Sequence, residues 1–143
     1  MIKDHTQHAV TFHGWQNHEA VQDIAAKCGL LAFPSIREFG GGVVLEAMAL
    51  GLPALVVDYG GPGELVTEKT GFKVPIGSRS EIVNEFRTEL EKIAMAPEAL
   101  VELGENARAY TQKWFTWSVK AEQVAKVYEW VLDGCTSDRP SFF

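Results

Sequence analysis

The residues best suited to chemistry are two carboxylates on either side of a glycine run. Glu38 comes first, Gly40, Gly41 and Gly42 follow, and Glu46 stands eight positions after Glu38. The run Leu30 to Phe33 ahead of them is apolar and reads as a buried strand, whereas Val43 to Leu50 is apolar except for Glu46 and reads as a helix. A strand that ends in glycines and opens a helix presents N–H groups that have no intrahelical partner, and the helix dipole favours negative charge there. Such a turn is an anion seat. Two carboxylates beside a phosphate seat suit a ligand carrying both phosphates and hydroxyls, and a nucleotide sugar meets that description.

Each residue also has a plainer reading. Three adjacent glycines can serve close strand–helix packing alone, although they cost chain entropy for a mere turn. A dinucleotide fingerprint fits poorly, because the third glycine position of G-x-G-x-x-G is Leu45 and Glu38 puts a charge in the loop. Glu46 interrupts Val43-Val44-Leu45 and Ala47-Met48-Ala49, so it is expected to be buried and to need partners, the alternative being a solvent-facing edge. Ser35, at the strand's carboxyl end, either bonds a ligand or caps the turn. Arg37 reads as a surface cation, a phosphate contact being the alternative, and His13 as a loop or core histidine rather than a catalytic one, while His5, His8 and His18 have no ligand spacing.

The stretch from Glu38 to Glu46 resembles the E-x7-E motif of the family 4 glycosyltransferases, retaining enzymes of the GT-B fold. The resemblance continues through Glu46-Ala47-Met48-Ala49-Leu50-Gly51-Leu52-Pro53, Asp58-Tyr59-Gly60-Gly61-Pro62-Gly63-Glu64 and Thr70-Gly71-Phe72, and upstream through Val10-Thr11-Phe12-His13-Gly14-Trp15. It runs from about residue 9 to the final helix near residue 132. One departure is Phe39, which stands one place after the first Glu where that family usually has its aromatic two places after it, at Gly40 here.

The resemblance implies the donor-binding, carboxyl-terminal half of such an enzyme. Glu38 then meets the donor sugar near its reacting carbon, as nucleophile or as electrostatic stabiliser. Glu46 meets the ribose hydroxyls, and Ser35, Gly40, Gly41, Gly42 and Val43 complete the donor site. Glu64 is expected to be structural, bonding N–H groups of the second glycine turn. The resemblance implies a nucleoside diphosphate sugar as substrate and neither metal nor other cofactor. It also implies a missing amino-terminal, acceptor-binding domain. Nothing before residue 9 matches the early strand–helix units whose Arg and Lys neutralise the diphosphate. The chain alone is therefore expected to be inactive, and to be unstable or oligomeric. The alternative is a non-catalytic partner or regulatory subunit of a two-domain glycosyltransferase; a sugar-nucleotide epimerase comes third.

Composition agrees with one domain. The chain has 143 residues, 46% hydrophobic and 22% charged, enough to bury a core. Its net charge of −6 argues against a nucleic-acid partner, which would need a basic surface to displace counterions. The longest uncharged apolar run, Ala47 to Val57, is too short for a bilayer and holds Gly51 and Pro53, so no transmembrane segment is expected. No signal peptide is visible, and Cys28 and Cys135 have no metal or redox spacing. These features suggest a cytoplasmic protein, at most peripheral at a membrane.

The expected architecture is α/β: a Rossmann-like parallel sheet with flanking helices that lacks its first strand–helix units, followed by C-terminal helices. Residues 1–8 read as a polar lead-in, 9–133 as the domain and 134–143 as a flexible tail. Strands are expected over about 9–13, 30–33, 54–57 and 72–74. Helices are expected over about 17–27 with Asn17 as N-cap, 43–50 ended by Gly51, and a short one containing Glu64 after a turn at Gly60 and Gly61. Ser78 and Glu81 form a capping box for a helix whose stripe is Ile82, Val83, Phe86, Leu90 and Ile93. Pro97 opens a helix to about 112, and a last helix over 117–132 is expected to bury Val124, Val127, Tyr128 and Val131. Trp114, Phe115, Trp117 and Trp130 read as core, with docking against another domain as the second reading.

Overall fold

The computed structural model describes residues 10–142. Among them the elements follow in the order α1 (His18–Ala25), β1 (Leu31–Phe33), α2 (Gly42–Ala49), β2 (Ala54–Val57), α3 (Gly60–Leu65), β3 (Gly71–Val74), α4 (Arg79–Met95), α5 (Ala99–Trp114) and α6 (Trp117–Leu132). The strands form one parallel sheet in the order β1-β2-β3, with Leu31 opposite Ala54 and Ala54 opposite Gly71. Parallel strands need crossovers, and helices α2 and α3 supply them.

The core has two layers because side chains alternate along each strand. Ala54 and Val56 join Val44 and Met48 of α2, Val66, and Ala107 of α5, with Leu31, Phe33, Leu65 and Tyr110 around them. Leu55 and Val57 face the other way, onto Val74 and onto Ile82 and Phe86 of α4. All four residues of β2 have no exposure at all, as expected for a strand covered on both faces.

Caps fall where the sequence places them. The Asn17 side chain accepts from the Ala20 N–H at 2.8 Å. At the end of α2, Gly51 takes φ +84°, and Gly51 N and Leu52 N donate to Met48 O and Ala47 O, a Schellman closure. In the capping box of α4, the Glu81 N–H donates to Ser78 Oγ and the Ser78 N–H to Glu81 Oε2. Those bonds from Ser78 hold the Glu81 carboxyl below its usual range.

Several expectations are corrected. Residues 10–14 form no strand, and Val10 and Phe12 are exposed (residue 9 lies outside the described residues); without a neighbour in the sheet an apolar run has no ladder to join. β1 is only half-buried and its Ala32 is exposed, because among the described residues it pairs on one edge alone. The glycine turn expected before α3 is itself the first turn of that helix, which begins at Gly60. Val83 and Leu90 leave the buried stripe of α4 and border an open apolar groove between that helix and Pro34. Helix α6 has the expected bounds but buries nothing: Val124, Val127, Tyr128 and Val131 are all exposed, because no described element lies against that face. Trp117 is 91% exposed and not core, whereas Trp114, Phe115 and Trp130 are half-buried.

Candidate functional site

The glycine turn leaves β1 at Pro34 and enters α2 at Gly42. Gly41, the N-cap, has φ +66°, a left-handed conformation that costs glycine little. Its shape is held by Glu38, whose Oε1 accepts from Gly40 N at 3.3 Å and Gly41 N at 3.2 Å. Ser35 Oγ accepts from Arg37 N at 3.4 Å, so the serine caps the start of the same turn. Arg37 is a surface residue.

A second glycine turn follows β2 and locks onto the first. Gly61 N donates to Phe39 O at 3.2 Å. A Cβ on Gly61 would come within 2.3 Å of Phe39 O and 2.8 Å of the Gly40 carbonyl carbon, and one on Gly41 would press on Pro62 at 3.2 Å. The two backbones are in contact, and no side chain fits between them. The second turn is anchored in its own right: Asp58 N donates to Val74 O at 2.7 Å, and Lys73 Nζ reaches Asp58 Oδ1 at 2.9 Å and Gly63 O at 3.4 Å. This partly exposed ion pair adds little stability, but it fixes where the turn sits.

The residues singled out in sequence are therefore only partly brought together. Glu38 and the glycines form one unit. Glu46 does not join it, and it is not buried as expected. The side of α2 that meets the core carries Val44, Ala47 and Met48, which leaves Gly42, Val43 and Glu46 on the solvent side. Those three share a helix face, and Glu46 lies about 6 Å along the axis from Gly42. Among the described residues the Glu46 side chain has no hydrogen bond or ion pair, so its carboxylate is open to a ligand. Glu64 also departs from expectation. Among the described residues it bonds no backbone N–H; it is exposed and lines an open pocket of about 490 Å³ with Glu38, Phe39, Gly40, Tyr59 and Gly61. Phe39 and Tyr59 were noted in the sequence only within motifs and not as site residues, and the offset aromatic at Phe39 was the signal that could have placed it there.

His13 is exposed in the segment before α1, and its carbonyl accepts from Gln16 Nε2 at 2.6 Å. Cys28 and Cys135 are free and exposed. Among the described residues no three His, Cys, Asp or Glu side chains gather to hold a metal. No helix of the described residues is long and apolar enough to cross a membrane.

An anion-holding turn at the carboxyl end of a parallel strand recurs in many nucleotide-binding folds. Comparison with known proteins narrows the choice. Residues 2–110 match the family described as "Glycosyl transferases group 1". The chain belongs to that family. It is 32% identical over 133 residues to a D-inositol 3-phosphate glycosyltransferase of Gordonia bronchialis, covering 92% of this chain and 28% of that protein. A sucrose synthase of Denitrovibrio acetiphilus is 27% identical over 109 residues, 73% of this chain and 14% of the relative. Among solved structures, the sucrose-phosphate synthase of Thermosynechococcus elongatus superposes with a TM-score of 0.70 at 30% identity, over 87% of this chain and 30% of that one. Anabaena HepE in complex with UDP gives 0.59 at 29% identity, over 74% of this chain and 29% of that one. The chain thus spans about a third or less of these relatives, and its sheet is part of their GT-B fold.

Proposed function

We propose that this chain is the donor-binding half of a retaining family 4 glycosyltransferase, which moves a sugar from a nucleoside diphosphate sugar to an acceptor hydroxyl. The observation that carries this reading is the pair of bonds from Gly40 N and Gly41 N to Glu38. A carboxylate oxygen rests on the N–H groups at the start of α2, in the place a phosphate oxygen of the donor would take. In the bound state the diphosphate occupies those N–H groups and Glu38 turns toward the sugar. There its negative charge stabilises the positive charge that grows on the reacting carbon as the bond to phosphate breaks. Glu46, open on the same face of α2 as Gly42 and Val43, accepts the ribose hydroxyls. The HepE structures hold UDP, and in one case UDP with glucose, which makes UDP the natural first ligand for this chain.

Transfer also needs an acceptor site and cations for the diphosphate. The described part of the turn offers only the surface residue Arg37, so the chain by itself binds donor without turning it over. A second reading, a docking subunit that completes another glycosyltransferase polypeptide, is favoured by the edge of β1 and the face of α6 that no described residue covers.

Calorimetric titration with UDP separates these readings. Binding that Glu46→Ala weakens roughly tenfold or more, the loss of a hydrogen bond to a charged group, supports the donor site. Glu38→Ala should leave UDP affinity equal or tighter, because it frees the N–H groups in advance. No UDP binding, together with tight association to a separate amino-terminal half, would support the docking subunit instead.

A further inference from the structure

Helix α3 is a poor helix by its own sequence. Gly60-Gly61-Pro62-Gly63-Glu64-Leu65 holds three glycines and a proline, the weakest helix formers, and its six residues are too few to stay helical unaided. The Glu38 turn nonetheless rests on this backbone. Besides the bond from Gly61 N to Phe39 O, a Cβ on Gly60 would lie 3.1 Å from Glu38 O, and one on Gly41 would lie 3.2 Å from Pro62 N and from the Leu65 side chain. The shape of the turn therefore depends on whatever keeps α3 in place.

The support comes from β3. Phe72 and Val74 pack with the core under α4, so alternation along the strand turns Lys73 to the other side of the sheet. The last carbonyls of a helix lack intrahelical partners. The Thr67 N–H, which would continue α3 onto Gly63 O, donates instead to Thr70 Oγ1 at 2.9 Å. Lys73 Nζ donates to Gly63 O at 3.4 Å and to Asp58 Oδ1 at 2.9 Å, a cation at the negative end of the helix. Gly63 is packed tightly on that aspartate, since a Cβ on it would come within 2.9 Å of Asp58 Oδ1. One ammonium group thus ties together the end of β2, the far end of α3 and β3.

We propose that Lys73 is a positioning residue: acting through α3, it sets the geometry of the turn from Glu38 to Gly41, and with it the affinity of that turn for the donor. The last clause rests on the donor-binding reading; the positioning does not. A partly exposed lysine–aspartate pair adds little to global stability. Its loss acts locally, letting α3 open more often while the rest of the sheet stays closed.

The experiment compares the full chain with its Lys73→Met and Lys73→Arg variants. Amide hydrogen exchange at Gly61 and Val66 reads the opening of α3, the amide chemical shifts of Gly40 and Gly41 read the turn, and calorimetry reads UDP affinity. Lys73→Met should speed exchange at Gly61 and Val66 roughly fivefold or more and shift the Gly40 and Gly41 amides, with exchange at Leu55 and Val56 and the denaturant midpoint unchanged. UDP affinity should fall about threefold to tenfold. Lys73→Arg keeps the charge and the donors, so it should restore the wild-type values. Unchanged Gly40, Gly41 and Gly61 amides in Lys73→Met would overturn the proposal. So would faster exchange throughout the sheet, which marks a merely structural lysine, or normal UDP affinity despite a disturbed turn. If Lys73→Met disturbs these amides, Lys73→Arg restores them and the wild type binds no UDP, the positioning role stands and the donor reading falls.

Discussion

Strands β2 and β1 are both short, apolar and followed by a glycine turn, yet they live in different surroundings. β2 has a strand on each edge and helices on both faces, and its four residues are fully buried. β1 has one neighbour among the described residues, an exposed alanine at its centre, and apolar grooves bordered by Pro34 on one side and Leu31 on the other. Helices α5 and α6 repeat the contrast: the first buries Gly104, Ala107 and Thr111 against its neighbours, while the second carries valines and a tyrosine that touch no core. An apolar pattern states that a face wants a partner. It does not state whether the partner is in the same chain. The turn after β1 keeps its shape despite its poorly supported strand because it is held from the well-supported side, through Gly61 and the Lys73–Asp58 pair.

Substitutions that grade this contrast should fall in a definite order. Met48→Ala, in the core between α2 and β2, removes a fully buried side chain and should lower unfolding free energy by about 2–5 kcal/mol in a denaturant titration. Gly61→Ala forces a methyl against Phe39 O, with about 1–3 kcal/mol of lost stability and, more tellingly, loss of UDP binding as the two turns separate. If that variant bound UDP normally, the interlock would be incidental to the site. Ser78→Ala should cost about 1 kcal/mol through the lost cap of α4. A pH series sharpens this case. Because the fold lowers the Glu81 pKa, its contribution is present at neutral pH and disappears as pH falls through the folded value. The melting-temperature gap between wild type and Glu81→Gln should therefore close on acidification. Tyr128→Ala and Val131→Ala, on the uncovered face of α6, should change stability by no more than about 0.5 kcal/mol. A larger loss would mean that this face has a partner, such as a second copy of the chain.

Much of this architecture was legible because the signals are local. Asn17, Gly51 and the Ser78–Glu81 box fix helix ends through bonds within a few residues, and the bounds of α6 followed from its own periodicity. The turn from Glu38 to Gly42 was legible for the same reason. What failed depends on non-local contact. Whether Val10 to Phe12 pairs, whether β1 is covered and whether Val127 is buried are decided by neighbours far along the chain or outside it. Glu46 illustrates the same limit within the site. Its apolar flanks suggested burial, but a helix of eight residues can turn one side to water while Val44, Ala47 and Met48 hold the other. The packing of Gly61 on Phe39 was invisible for the converse reason, since it joins two turns separated by the whole of α2 and β2.

The central claim is that the N–H groups now bonded to Glu38 are the seat of the donor's phosphates. A crystal structure of the chain grown with UDP tests it directly. The account predicts a phosphate oxygen within hydrogen-bonding distance of Gly40 N and Gly41 N, the Glu38 carboxylate displaced from them, and the ribose on Glu46. UDP bound elsewhere, with Glu38 still on both glycines, would contradict it.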